Sequence, residues 1–129
     1  MAGEIILVDT SILIDYFRKS DKINSKWITL FDEGYDFVIS AITYYEIYSG
    51  ATEAQLSFWN EILRRIDVLP FDERAAKTSV EINKELKKKS QQLAIADLFI
   101  AATAVSNNLS LATLNIKHFE RIINLEIIA

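Results

Sequence analysis

Three acidic residues, Asp9, Glu46 and Asp97, stand in apolar surroundings with no basic residue beside them. Asp9 closes the run Ile5-Ile6-Leu7-Val8, Glu46 lies between Tyr45 and Ile47, and Asp97 follows Leu93-Ala94-Ile95-Ala96. Each element can point its carboxylate toward the same end of a sheet. Two carboxylates about 4 Å apart repel by roughly 4 kcal/mol at an effective dielectric near 20, so three together call for protonation or a bridging cation. Hard oxygen donors, with water completing an octahedron, suit Mg²⁺ or Mn²⁺. Such an ion orients and polarises a phosphodiester and activates water. The residues read as a divalent-metal phosphoryl-transfer site.

Each residue also has a plainer reading. Asp9 can be a turn former, Asp97 a helix cap and Glu46 a solvated surface residue. Ser11 and Thr113 read first as cap and strand residues, with orientation of carboxylates or water as their site role. His118 is the only histidine. It precedes Phe119 on a surface-like turn and is read as structural rather than as an acid–base group.

The elements that must position these residues begin with Ile5–Val8. Four consecutive aliphatic residues predict a strand buried on both faces, at the middle of a parallel sheet. Thr10 or Ser11 is expected to cap a helix through Ile12–Phe17. Ser20-Asp21 predicts the cap of a second helix, in which Ile23, Trp27, Leu30 and Phe31 recur at helical spacing and Gly34 offers a stop. A short strand over Asp36–Ser40 and a helix from Ala41 carrying Glu46 follow. Thr52–Ile66 predicts a helix, Asp67–Leu69 a brief strand, and Asp72 the cap of a long helix to about Lys89. Leu98–Val105 is apolar all round and predicts a buried helix with Asp97 at its amino end, where the dipole favours negative charge. Leu109–Thr113 predicts another strand, His118–Arg121 a helical turn and Leu125–Ile128 an edge strand. The alternation predicts an α/β fold, a three-layer α/β/α sandwich on a mainly parallel sheet, in one domain over residues 1–129.

Composition narrows the function. Half of the 129 residues are hydrophobic, which excludes a disordered chain. No apolar stretch approaches the ~18 residues needed to span a bilayer, and no charged-then-apolar leader precedes the first strand, so a cytoplasmic protein with no membrane partner is expected. The absence of cysteine excludes a disulfide framework, a thiolate metal site and a thiol nucleophile. Three glycines leave no glycine-rich phosphate loop. The net charge of −4 is not the balance of a typical nucleic-acid binder, yet carboxylates gathered for a metal count as negative until it binds. Lys84, Lys87, Lys88, Lys89, Arg64 and Arg65 are candidates for steering RNA, or form a solvated face. Tyr44, Tyr45 and Tyr48 are candidates for base stacking or subunit packing. Trp27, Phe31, Phe58 and Trp59 exceed what one small sheet needs, which suggests shared surfaces.

Val8-Asp9-Thr10-Ser11, Glu46 ahead of Gly50, Asp97-Leu98-Phe99-Ile100-Ala101-Ala102, and Thr113-Leu114-Asn115 with Phe119 together resemble the PIN domain, and within it the VapC-type ribonuclease toxins. The resemblance covers essentially the whole chain. It implies a Mg²⁺- or Mn²⁺-dependent endoribonuclease that is dimeric and held inactive by a cognate antitoxin. Asp9, Glu46 and Asp97 match the acidic triad, with Asp9 and Asp97 as the metal ligands and Glu46 ligating or orienting water. The fourth position, often Asp, is Asn115; a neutral amide holds a second cation less well. Two other readings compete: a non-catalytic RNA-binding or scaffold domain of the same fold, and a receiver-like signalling domain. The second lacks a phosphoacceptor Asp after Val38-Ile39-Ser40 and a Lys after Leu111-Ala112-Thr113.

Overall fold

A computed structural model describes residues 3–128; the ends of the 1–129 range lie outside the described residues. Five strands, β1 (Ile5–Val8), β2 (Asp36–Ser40), β3 (Asp67–Leu69), β4 (Leu111–Ala112) and β5 (Ile127–Ile128), form one sheet in the order β3-β2-β1-β4-β5. Every pairing is parallel. The helices between them are α1 (Thr10–Arg18), α2 (Lys26–Asp32), α3 (Ala41–Gly50), α4 (Leu56–Leu63), α5 (Glu73–Lys88), α6 (Ile95–Ser106) and the short α7 (Ile116–Phe119).

β1 is central, as its apolar run predicts, and the pleat divides that run between two cores. Ile6 and Val8 pack with Ile12, Leu13, Leu30, Ile47, Trp59 and Leu63 on one face. Leu7 packs with Leu86, Ile100, Ala104, Leu111 and Phe119 on the other. The result is the expected three-layer sandwich. Fully burying a Leu or Ile side chain contributes about 1.5–3 kcal/mol, so β1 anchors both layers. Ala101, Ala102 and Ala104 of α6 are fully buried, in keeping with a helix that is apolar all round. No helix among the described residues is long and apolar enough to cross a membrane.

The chain runs from β1 outward through β2 to β3, then returns to place β4 on the other side of β1. This reversal makes a switch point between β1 and β4, and the crevice outside such a point is where open α/β sheets bind ligands. The order also differs from the 2-1-3-4-5 arrangement of receiver-like folds, which removes the signalling alternative.

Several boundaries depart from the sequence expectations. Asp9, rather than Thr10 or Ser11, caps α1, because its carboxylate accepts from the Ser11 and Ile12 amides. Asp21 caps only a 3₁₀ turn, Lys22–Asn24, and Ser25 then caps α2. The Thr52–Ile66 stretch divides into a 3₁₀ turn at Glu53–Gln55 and α4. β4 is shorter than the expected Leu109–Thr113: the chain turns at Asn108, with φ 56°, and the strand proper spans Leu111–Ala112. The helical turn starts at Ile116 rather than His118. Trp59 is core, with 2% of its surface exposed, and only Trp27 and Phe31 of the four aromatics expected at a surface line an apolar cleft.

Candidate active site

β1 ends at Val8, so Asp9 is delivered to the switch point, where its amide donates to Ala112 O at 3.1 Å. Its side chain is buried and accepts four hydrogen bonds. Oδ1 accepts from Ser11 N at 3.0 Å, Ser11 Oγ at 2.5 Å and Ile12 N at 3.4 Å, and Oδ2 accepts from Thr113 Oγ1 at 2.6 Å. Burial raises the Asp9 carboxyl pKa above its ordinary 3.8, against the pull of the Ser11 and Thr113 hydroxyls and the two amides. Among the described residues no basic side chain pairs with it.

Ser11 and Thr113 therefore belong to the site rather than only to a cap and a strand. Each hydroxyl gives its proton to Asp9 and accepts an amide from the turn after β4. Ser11 Oγ takes Leu114 N at 3.0 Å, and Thr113 Oγ1 takes Asn115 N at 2.9 Å. The turn that carries Asn115 is thus fixed to the carboxylate it adjoins. The Asn115 side chain is exposed and makes no capping bond to α7.

Glu46 reaches the same edge from α3. Thr10 Oγ1 lies 2.6 Å from Glu46 Oε1 and 3.1 Å from Thr43 Oγ1. A hydroxyl has one proton, and the carboxylate is the stronger acceptor, so Thr10 donates to Glu46. Thr10 is the neighbour of Asp9, and this bond ties the second carboxylate to the first. Asp97 sits in the first turn of α6, which a short connection joins to the amino end of β4, and it meets the segment that follows β4. Its Oδ2 lies 3.1 Å from His118 Nδ1 on α7.

That contact corrects the structural reading of His118. Its ring is 55% exposed, as expected of a surface turn, but it is held by a candidate site carboxylate. Thr10 was also missed. Its only sequence signal was adjacency to Asp9, whereas its partner lies 36 residues away. Three of the six expected steering cations are paired with carboxylates: Arg64 and Arg65 share Glu61, and Lys88 pairs with Glu85.

A second correction concerns convergence. Among the described residues no three His, Asp or Glu side chains are gathered so that they hold one metal ion. Each carboxylate is kept by its own partner, Asp9 by Ser11 and Thr113, Glu46 by Thr10 and Asp97 by His118. Like charges favour that separation. The donor set nevertheless fits a hard divalent cation. All its members are carboxylate oxygens, and Asp9 is a buried carboxylate with no compensating basic group.

Comparison with known proteins agrees with the fold. The family model for the PIN domain matches residues 6–124. Ribonuclease VapC1 of Methanocaldococcus jannaschii is 37% identical over 118 residues, covering 91% of this chain and 80% of that protein. Two solved structures superimpose closely. DNA-bound VapBC from Salmonella typhimurium has a TM-score of 0.82 at 28% identity, covering 99% of this chain and 98% of that one. VapBC-1 from nontypeable Haemophilus influenzae has a TM-score of 0.81 at 29% identity, with 96% of each chain covered. The chain belongs to the PIN domain family, in the branch of the VapC ribonucleases.

Proposed function

We propose that this chain is a divalent-metal-dependent endoribonuclease, the toxin of a type II toxin–antitoxin pair, which cuts single-stranded or looped RNA. The observation that carries this reading is Asp9, a buried carboxylate without a basic partner at the β1–β4 switch point. Family membership and the ribonuclease names of its relatives support it.

Asp9 and Asp97 are the ligands in this reading. They would hold Mg²⁺ or Mn²⁺, which would supply polarisation of the phosphodiester and a lowered pKa for water. The chain's own residues fix the geometry. Ser11 and Thr113 hold both Asp9 oxygens in place before substrate arrives, so little reorganisation is left to the reaction. Thr10 holds Glu46 through Oε1, and Oε2, the oxygen turned away from that bond, orients the attacking water and takes its proton. Asn115 presents an uncharged amide to the substrate, where a fourth carboxylate would repel its phosphates.

The partner is a cognate antitoxin, and the chain alone is a homodimer in the cytoplasm. VapBC complexes among the structural relatives support the antitoxin. A cleft of about 390 Å³ lined by Tyr16, Trp27, Phe31, Phe37 and Ile62 offers it an apolar seat. A basic side chain from its tail would neutralise the acidic edge.

A cleavage assay tests the activity. RNA is incubated with the unaltered chain in Mg²⁺ or Mn²⁺, with chelator, and with Glu46→Gln. Cleavage in the first case alone is the expected result. Cleavage that survives chelation, or that Glu46→Gln leaves unchanged, places the chemistry elsewhere.

A further inference from the structure

Beside the acidic edge lies a cleft of about 420 Å³ whose lining includes Ser11, Ile14, Arg18, Leu114 and Asn115. Its volume falls within the ~300–1,000 Å³ of pockets that hold small ligands. Ser11, Ile14 and Arg18 follow at i, i+3 and i+7 along α1, one stripe about 10 Å long. The opposite wall is the turn after β4. Ser11 Oγ joins the two walls, donating to Asp9 and accepting from Leu114 N. The cleft thus begins at the hydrogen bonds that hold Asp9.

The charges within it are unequal. Asp15 and Lys19, also in its lining, pair with each other at 3.4 Å, and Asp15 accepts the Lys26 amide as well. Arg18 is exposed and has no carboxylate partner among the described residues. A cation in the last turn of a helix ordinarily answers the dipole. Here its planar guanidinium also faces a cleft that opens on a candidate phosphodiesterase site, and guanidinium geometry matches a phosphate in bidentate fashion. Ile14 and the half-exposed Leu114 supply an apolar wall, and Asn115 supplies an amide with both a donor and an acceptor.

We propose that this cleft is a nucleotide subsite for single-stranded RNA, in which Arg18 binds the phosphate flanking the scissile bond and Asn115 hydrogen-bonds the adjoining nucleotide. The base lies against Ile14 and Leu114. The subsite rests on the ribonuclease reading above, and it gives Asn115 a substrate role in place of a second cation.

The test uses the full chain and a labelled single-stranded RNA of mixed sequence in chelator, so that binding is read without turnover. Arg18→Ala is expected to weaken binding about tenfold and to lower the slope of log affinity against log salt by about 0.7, the value for one phosphate contact on a single strand. Arg18→Lys keeps the charge and restores the slope but only part of the affinity. Asn115→Ala weakens binding at every salt concentration with the slope unchanged. Arg64→Ala, whose side chain is held by Glu61, changes neither quantity. Thermal melting of each variant accompanies the titration, and lost affinity that tracks a lowered Tm overturns the subsite. So does an unchanged affinity and slope in Arg18→Ala, or an unaltered chain that shows no salt-sensitive binding. The cleavage reading stands or falls separately on the divalent-ion assay.

Discussion

Thr113 Oγ1 donates a 2.6 Å hydrogen bond to Asp9 Oδ2 across 104 positions of sequence. It closes the carboxyl ends of β1 and β4 over a carboxylate that burial holds above its ordinary pKa of 3.8. A carboxyl whose folded pKa is raised favours the fold in its protonated form. That contribution is complete below about pH 3.8 and is lost as pH rises through the raised value. At neutral pH the ionised group therefore costs stability. Asp9→Asn, which caps a helix as well as Asp does, is expected to melt above the unaltered chain at pH 7 in chelator. The gap should close as pH falls toward 4. Thr113→Val should lower neutral stability by about 1–3 kcal/mol, because a buried carboxylate loses a donor. Calorimetry across pH reads both. An Asp9→Asn variant that melts lower at pH 7 would contradict the account.

Divalent ions should raise the Tm of the unaltered chain, since a ligand that binds only the fold stabilises it by mass action. Asp97→Asn should lose most of that gain. His118→Ala should weaken ion affinity about tenfold, the lower end of what losing a ligand's hydrogen-bond partner costs. Its ring is 55% exposed, so the metal-free Tm should hardly move. Titration of Mn²⁺ followed by melting separates the cases, and equal shifts in all three proteins would refute both assignments.

Phe31 is 65% exposed on the apolar cleft, whereas Trp59 is core. Phe31→Ser should therefore leave the Tm intact and weaken antitoxin binding by at least tenfold, from about 1.5–3 kcal/mol of lost burial. Trp59→Ala should instead cost about 3–5 kcal/mol of stability. Calorimetric titration against the purified antitoxin distinguishes them, and full affinity in Phe31→Ser would move the antitoxin to another face.

Much of this frame is legible in the residues. Ile6–Val8 is apolar at every position because both faces of β1 are covered there, whereas Ile5, at the start of the strand and also expected inside, is 49% exposed. The carboxylates at positions 9, 46 and 97 stand out because apolar neighbours offer them nothing. Their hydrogen-bond partners are a different matter. Thr10 with Glu46 and Asp97 with His118 meet through tertiary contact, 36 and 21 residues apart, and no periodicity marks such pairs. The aromatics divide for a related reason. Helical spacing puts Phe58 and Trp59 on α4 and Trp27 and Phe31 on α2, but which ring turns inward depends on how the helices lie on the sheet. Asp9 as its own helix cap was readable, since Asp is as good a cap as Ser, but two hydroxyl residues next to it competed for the assignment.

The span of the Asp9–Thr113 bond bears on how the protein is made. Domains gain structure from the amino terminus as synthesis proceeds, at about 5–20 residues per second. A growing chain can form β1 and the Ser11 contacts early, but the hydroxyl that holds the other Asp9 oxygen lies 104 positions further along. His118, the partner of Asp97, follows five residues later. The acidic edge therefore stays incomplete during synthesis until the stretch from Thr113 to His118 has emerged, so its hydrogen bonds form after those of β1.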